Sequence, residues 1–357
     1  MPRRPIFTDV MDVLERRILE GDYMLKDLPG ERKLAEEVGV SYMTARKAVL
    51  GLIEKNVLTR KDNGALAIHP RYHAKQSRCQ VALLSPAYPS AHFMHCRLAI
   101  SRSAEKHDVQ FRPVEYMHWY DPAVKEALQG SDGLLVIPST EPMPPQVLKE
   151  FASHDHKVVF LDDDMTDHGI PSIRLFARDH ISTLFEHLWE LGHRTLHCLN
   201  AQGHNPEIDR RISHWQTWLE EKGGNGKLWD TPAPPYDDVI SHAYQTMRQL
   251  VAQRNEIQDA IVCTTQPAAL GAIRACYEQG LRIGEDVSIC TINNEPTGRY
   301  FCPTLTGLEM PDIEDLMTHC FAWFAADHSA WKGPLRIVPE HARLFKGEST
   351  GHARVHA

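Results

Sequence analysis

Nowhere in the 357 residues does an apolar run approach the roughly 18–20 residues needed to cross a bilayer, so no membrane-spanning segment is expected. The opening stretch, MPRRPIFTDVMDVLERR, has basic residues but neither an apolar h-region nor a small-residue cleavage site. Export is therefore not expected, and the cytoplasm is. No CxxC pair occurs either. The eight cysteines at 79, 96, 198, 263, 276, 290, 302 and 320 are scattered, several in apolar runs such as AIVC and SIC. In a reducing compartment they read as buried small hydrophobes. Also missing are a phosphate-cradling P-loop, a GxSxG elbow and a recognisable nucleophile–base pair, so no catalytic residue, no enzyme activity and no cofactor is expected. Twenty-one histidines raise the question of metal, and His193 and His197 in GHRTLH are four apart. That segment reads as a helix end running into a strand, where the pair shares no helical face, so no metal site is expected.

A hydrophobic content of 42% with 24% charged residues is ordinary for a folded protein, and the length suggests two or three domains. Charge is unevenly spread. Residues 1–75 hold 14 Lys and Arg against 11 Asp and Glu, whereas the remainder holds 25 against 36. A basic head on an acidic body suits a chain whose head alone meets an anionic polymer.

The most informative stretch is LPGERKLAEEVGVSYMTARKAVLGLIEKNVLTRKDNG, residues 28–64. Val10, Val13, Leu14 and Ile18 first predict a helix over 8–20, stopped at Gly21. A short helix follows over Glu31–Val38 with Leu34, Ala35 and Val38 inward, and Gly39 closes the turn with positive φ. Ser41 then caps a helix to about Lys55 whose inner face is Ala45, Val49, Leu52 and Ile53. Its first turn shows Tyr42, Met43 and Thr44 outward, with Arg46 and Lys47 next. Asn56 ends it, and VLTRKDNGALAI predicts two short strands around Asp62-Asn63-Gly64. This is the layout of a winged helix-turn-helix, which sets one helix in the DNA major groove. A helix N-terminus offers free N–H groups to phosphate, short polar side chains there reach base edges, and Arg60 and Lys61 on the hairpin reach an adjacent backbone or groove. The competing reading is a helical bundle with solvated charges.

The segment resembles the GntR family of bacterial repressors, whose pattern runs roughly LPSERELAxxxGVSRxTVRxALxxLxxxGLIxRxxGxGTFV. The resemblance implies DNA contacts from Arg32 and Arg46, a small polar contact from Thr44 and a wing-tip glycine at Gly64. Ser41, Tyr42, Lys47, Arg60 and Lys61 complete the expected DNA-binding set. This chain departs from the family at Tyr42, where arginine is usual, at Asn56, where glycine is usual, and at Leu66 with its neighbours, where GTFV is usual.

Residues 70–78, PRYHAKQSR, read as a linker. Beyond them strands and helices alternate: CQVALLS, a helix near 91–107, FRPVEY, a helix near 121–129, GLLVIP, a helix near 144–153 and KVVFLDD. A second series runs through a helix at about 178–191, TLHCLN, helices near 208–222 and 237–254, AIVCTT, a helix near 267–279 and VSICTIN. Two βα series predict two α/β lobes with parallel sheets and a cleft between them. Ligands of open parallel sheets sit beyond the carboxyl ends of the strands, which singles out Ser85, Asp162, Gln266 and Asn293. The bland alternative is that these residues cap the following helices, Asp162 to Asp164 above all.

The body resembles the effector domain of LacI/GalR repressors, itself similar to periplasmic binding proteins, over about 270 residues. HLWELGHRTLHCLN, RISHWQTWLEEKG, AIVCTTQPAALGAIRACYEQGLRIGEDVSICTINN, CPTLTGLEMP and LRIVPEHARLFKGEST carry the likeness. It implies ligand contact by Arg211 and an acidic cleft residue at Asp162, and it puts Gln266 and Asn293 where the family has aspartates. The expected architecture is α/β: a winged helix-turn-helix DNA-binding domain at 1–69, a linker at 70–78, a two-lobed periplasmic-binding-protein-like effector and dimerisation domain at 79–350, and a tail at 351–357. The first lobe is expected to take about 79–175 and 304–330, the second about 176–303 and 335–350. A GntR-type head on a LacI-type body is the arrangement of arabinose-type repressors. It implies a homodimeric regulator of carbohydrate-related genes that binds double-stranded operator DNA and a small polar, sugar-like effector, with no membrane partner. The alternative is a regulator whose body is a ligand-independent dimerisation platform; a solute-binding protein or an enzyme fits less well.

Overall fold

The computed structural model describes residues 6–19, 22–23, 28–61, 63–69, 79–153, 156–253, 259–326 and 330–354. The expected linker at 70–78, the residue Asp62 and the last three residues of the tail lie outside them.

The head begins with α1, Ile6–Leu19, followed by α2, Glu31–Val38, and α3, Tyr42–Glu54. Val10, Leu14, Ile18, Leu34, Ala48, Val49 and Leu52 recur at helical spacing and form one small core. Gly39 takes φ +69°, and its amide closes on the carbonyls of Ala35 and Glu36. A residue bearing a Cβ is strained there, which is why glycine ends this turn. Strands β1, Leu58–Arg60, and β2, Leu66–Ile68, pair antiparallel with Leu58 opposite Ile68. The wing turn between them holds Gly64 at φ +78°, with its amide bonded to the Lys61 carbonyl.

The body holds two six-stranded sheets. Strands β3, Gln80–Pro86, β4, Gln110–Tyr116, β5, Gly133–Val136, β6, Val158–Leu161, and β7, Ser172–Ile173, lie parallel in the first. Their order is β7-β6-β5-β3-β4. The second contains β8, Leu196–Asn200, β9, Leu228–Asp230, β10, Ala260–Cys263, β11, Ser288–Asn294, and β12, Thr306–Glu309, in the parallel order β12-β11-β10-β8-β9. Every residue of β5, β6, β8, β10 and β11 is buried, as expected for strands covered on both faces by helices. Those helices are α4, Ala91–Lys106, α5, Pro122–Gly130, and α6, Pro145–Phe151, in the first lobe. In the second they are α7, Arg178–Glu190, α8, Pro206–Lys222, α9, Val239–Ala252, and α10, Gln266–Glu278.

The lobe division differs from the one expected near the C-terminus. Thr306–Glu309, expected in the first lobe, pairs with β11 in the second sheet, Cys290 opposite Thr306. The chain then returns to the first lobe for α11, Glu314–Ala325, whose first turn meets α4 through Ser103 Oγ on the Glu314 carbonyl at 3.2 Å. Strand β13, Arg336–Ile337, expected in the second lobe, pairs with β7 in the first. Finally β14, Leu344–Phe345, pairs antiparallel with β12. Backbone pairing decides these memberships, and such short strands carry no local signal of their sheet. Residues 351–353, expected as tail, are fastened to the second lobe: His193 Nε2 lies 3.0 Å from the Gly351 carbonyl, and the Ala353 amide donates to the Leu191 carbonyl at 2.8 Å.

Six cysteines are buried, Cys79 is half-buried and Cys302 is exposed, so the expectation of burial fails at Cys302. Among the described residues no helix is long and apolar enough to cross a membrane.

Candidate functional site: an exposed helix end and an interlobe cleft

In the head, Ser41 is extended at φ −65°, ψ 148°, and its hydroxyl accepts from the Thr44 amide at 3.2 Å. The same hydroxyl shares a 2.8 Å hydrogen bond with Thr44 Oγ1. This cap fixes the start of α3 and sets its positive dipole end at the surface. Tyr42 and Met43 are exposed, 39% and 65%, and Arg46 and Lys47 stand one turn further along on the exposed face. Arg32 is exposed on the neighbouring α2, and the inner face, Ala45, Val49 and Leu52, is buried. The wing stands beside this surface because Glu31 holds it there. One Glu31 oxygen pairs with Arg60, the other accepts from the Tyr42 hydroxyl at 3.1 Å, and Arg60 also donates to the Gly64 carbonyl at 3.1 Å. The structure thus brings Tyr42, Arg60 and Gly64 together through an acidic residue that the sequence reading passed over.

The second site lies at the carboxyl ends of the two sheets. Asp162 follows β6 at φ +58°, a strained value for a residue with a Cβ, and looks across the cleft. Its Oδ2 lies 3.3 Å from His92 Nε2 on α4, and its Oδ1 lies 3.8 Å from Arg211 on α8 of the other lobe. The capping alternative goes to Asp164, whose Oδ1 accepts from the Thr166 amide and hydroxyl at 3.2 and 2.6 Å. Arg211, 3% exposed, donates to the Thr264 carbonyl at 2.9 Å and faces Glu207 at 3.4 Å. Glu207 also faces Arg210 at 3.0 Å and Arg174 at 3.6 Å, and Arg210 reaches Asp163 at 3.4 Å. This network ties the two lobes together.

Asn293, in β11, is 7% exposed, and its Oδ1 has no hydrogen-bond partner among the described residues. Gln266, at the start of α10, is turned instead toward its own lobe. Its Nε2 donates to Asn294 Oδ1 at 3.1 Å and to the Glu295 carbonyl at 3.3 Å. Ser85 lies near the end of β3, half-buried. Sequence reasoning missed His92, Glu207 and Glu295. Glu295 stands two residues after Asn293, the spacing that puts extended residues on one face, and its Oε1 lies 3.4 Å from His92 Nδ1. His92 thereby bridges Asp162 of one lobe and Glu295 of the other. Burial opposes a charge on His92, yet the Cys96 sulfur and the two carboxylates outweigh it and hold the imidazole pKa well above its ordinary value. Burial likewise opposes ionisation of Asp162, but His92 first, then Arg211 and Arg210, bring its pKa below the usual carboxylate value. His193 and His197 lie elsewhere: His193 Nε2 meets Ser288 Oγ at 3.0 Å, and His197 stacks on Trp229 at 4.5 Å.

Residues 7–68 match the family described as bacterial regulatory proteins, gntR family, and residues 185–345 match the periplasmic binding protein-like domain. The chain carries a gntR-family head and a periplasmic-binding-protein-like body. Over 184 residues it is 29% identical to the HTH-type transcriptional repressor PurR of Salmonella paratyphi B, an alignment covering 50% of this chain and 52% of PurR. The chain thus spans about half the length of the curated relatives it matches. Among solved structures, a lac repressor dimer bound to operator and the anti-inducer ONPF superposes with TM-score 0.65 at 20% identity, over 80% of this chain and 99% of that one. A LacI family regulator from Arthrobacter sp. FB24 in complex with lactose gives 0.62 at 16%, over 76% and 99%. At these identities the likeness is one of fold, and it extends the two-lobed architecture of the gntR-headed chain to the first lobe.

Proposed function

We propose that this chain is a ligand-responsive transcriptional regulator, a repressor of carbohydrate-related genes, working in the cytoplasm. The observation that carries the reading is the capped, exposed start of α3 with the wing alongside, within a gntR-type segment. In this reading α3 enters the major groove, and Ser41, Tyr42, Thr44, Arg46 and Lys47 meet DNA from its first turns. Arg32 meets it from α2 and Arg60, Lys61 and Gly64 from the wing. Arg46 reads a guanine and the dipole end of α3 holds a phosphate. Two heads on a homodimer bind a two-fold symmetric operator. The exposed Met94 and Leu98, one turn apart on α4, provide apolar surface for that pairing. PurR is named a repressor, which supports the sign of the regulation.

The effector, a small polar sugar-like molecule, occupies the cleft against Ser85, Asp162, Arg211, Gln266 and Asn293. It shifts the balance between open and closed lobes by its differential affinity for them, and closure changes the spacing of the heads. The rival reading, a body that only dimerises, draws on the internal bonds of Gln266 and Arg211. The unsatisfied Asn293 and Glu295 acceptors argue for a ligand instead. Arg46→Ala tests the DNA half: operator affinity falls by about 1–3 kcal/mol at one base position. Equal binding of every sequence by wild type and variant sinks the assignment of α3.

A further inference from the structure

The cleft's polar groups are unbalanced in a way that selects a ligand. Its three guanidiniums already stand opposite three carboxylates: Arg174, Arg210 and Arg211 face Glu207 at 3.0–3.6 Å, Arg210 also faces Asp163 at 3.4 Å, and Arg211 faces Asp162 at 3.8 Å. An anionic ligand therefore finds no uncompensated cation among them. The acceptors are in the opposite condition. Glu295 is 3% exposed with both carboxylate oxygens lacking a hydrogen bond, and Asp162 Oδ1 and Asn293 Oδ1 lack one too, among the described residues. Against these stand two unsatisfied donors among the described cleft residues, Arg174 Nε and Nδ1 of the His92 cation, while Thr265 Oγ1 can act in either sense. A buried acceptor left without a protein partner is destabilising, a cost that a donor-bearing ligand removes. The cation facing Glu295 is the His92 imidazole from the opposite lobe, near enough to pair at 3.4 Å but without hydrogen-bond geometry.

A protonated amine fits this arrangement better than the alternatives. It brings three donors and a charge to two carboxylates, a hydroxyl brings one donor together with acceptor lone pairs, and a phosphate or carboxylate brings acceptors alone. We propose that the cleft binds a small amino sugar, its ammonium seated between Asp162 and Glu295 where the His92 imidazole now stands and its hydroxyls donating to Asn293 and Thr265, with Glu295 setting the preference for the amine. This rests on the reading of the body as a small-molecule sensor.

The test is titration calorimetry on the full-length chain with matched pairs, glucosamine against glucose and galactosamine against galactose, on wild type and Glu295→Gln. In wild type at least one amino sugar binds about tenfold or more tighter than its hydroxyl twin, the gain of a charge-assisted over a neutral hydrogen bond. In Glu295→Gln that ratio falls to about twofold or less, with the melting curve confirming that the variant is folded. Equal binding within both wild-type pairs overturns the proposal, as does the absence of binding by either amino sugar up to 10 mM, or a ratio unchanged in Glu295→Gln. The same preparations are assayed for salt-dependent DNA binding. If DNA binding persists while the amine preference fails, only the ligand class is wrong; if DNA binding is absent, the regulator reading itself fails.

Discussion

Glu207→Gln removes one negative charge from the centre of the network that joins the lobes. The carboxylate side chain is 4% exposed and faces three guanidiniums, Arg210 at 3.0 Å, Arg211 at 3.4 Å and Arg174 at 3.6 Å. Breaking a buried ion pair by removing one member costs about 3–5 kcal/mol, because the charge left behind is uncompensated. Two features here reduce that figure. Arg210 is a third exposed, and Arg211 keeps Asp162 at 3.8 Å. We expect about 2–4 kcal/mol, which at a few degrees per kcal/mol lowers the melting temperature of the body by about 5–12 °C. Glu309→Gln is the control. Glu309 faces Arg299 and Arg343, which are 47% and 84% exposed, and solvent screening keeps its loss under about 1 kcal/mol. The assay is thermal unfolding followed by circular dichroism on both variants in one buffer. A Glu207→Gln melting point within 1 °C of wild type, or a control shifted as far, refutes the reasoning.

Other consequences follow from the same contacts. His92 has a raised pKa in the folded state, so its stabilising charge is fully present below the unfolded-state value of about 6.5 and is lost as pH rises through the folded value. The stability gap between wild type and His92→Gln should therefore close as pH rises past neutrality, and a gap that widens contradicts the bridge. His187, His193 and His214 have pKa values lowered by burial and contribute in the opposite sense, which is why the variant difference and not the wild-type curve is the readout. Ser41→Ala removes the cap on Thr44 and should cost the head about 0.5–2 kcal/mol, read as an earlier unfolding transition; an unshifted transition means the cap contributes nothing. Gly271→Ala puts a methyl against the Ile240 carbonyl and 2.6 Å from the Tyr244 amide, so α9 and α10 must separate. A loss of about 1–3 kcal/mol in urea unfolding is expected, and a neutral result would show that the contact yields easily.

Much of the fold was legible because its signals are local. Glu31–Val38 matches the predicted helix, Gly39 has the positive φ its turn requires, and Ser41 caps the next helix with its own hydroxyl. The βα alternation is likewise written in runs such as GLLV and AIVC, which suit strands buried on both faces. The exchange of Thr306–Glu309 and Arg336–Ile337 between sheets was not legible, since each choice depends on partners far along the chain. The cleft was read only in outline. Strand ends pointed to Asp162 and Asn293, and family likeness to Arg211. Glu207 and Glu295 look like ordinary surface acids in sequence, and only the approach of three arginines to one and of His92 to the other reveals their burial. Cys302, expected among the buried cysteines, is exposed for the same reason: nothing in its neighbours reports which face of the body it occupies.

The account stands or falls on whether the head holds DNA through the start of α3. Fluorescence anisotropy of the full-length chain against a pool of chromosomal promoter fragments, repeated from about 50 to 200 mM salt, measures this directly, since each phosphate neutralised adds about 0.9 to the salt slope. The account predicts nanomolar-range binding of at least one fragment that weakens steeply with salt and is lost in the Arg46→Ala, Lys47→Ala double variant. Binding absent from every fragment, or unaffected by salt and by the double variant, contradicts it.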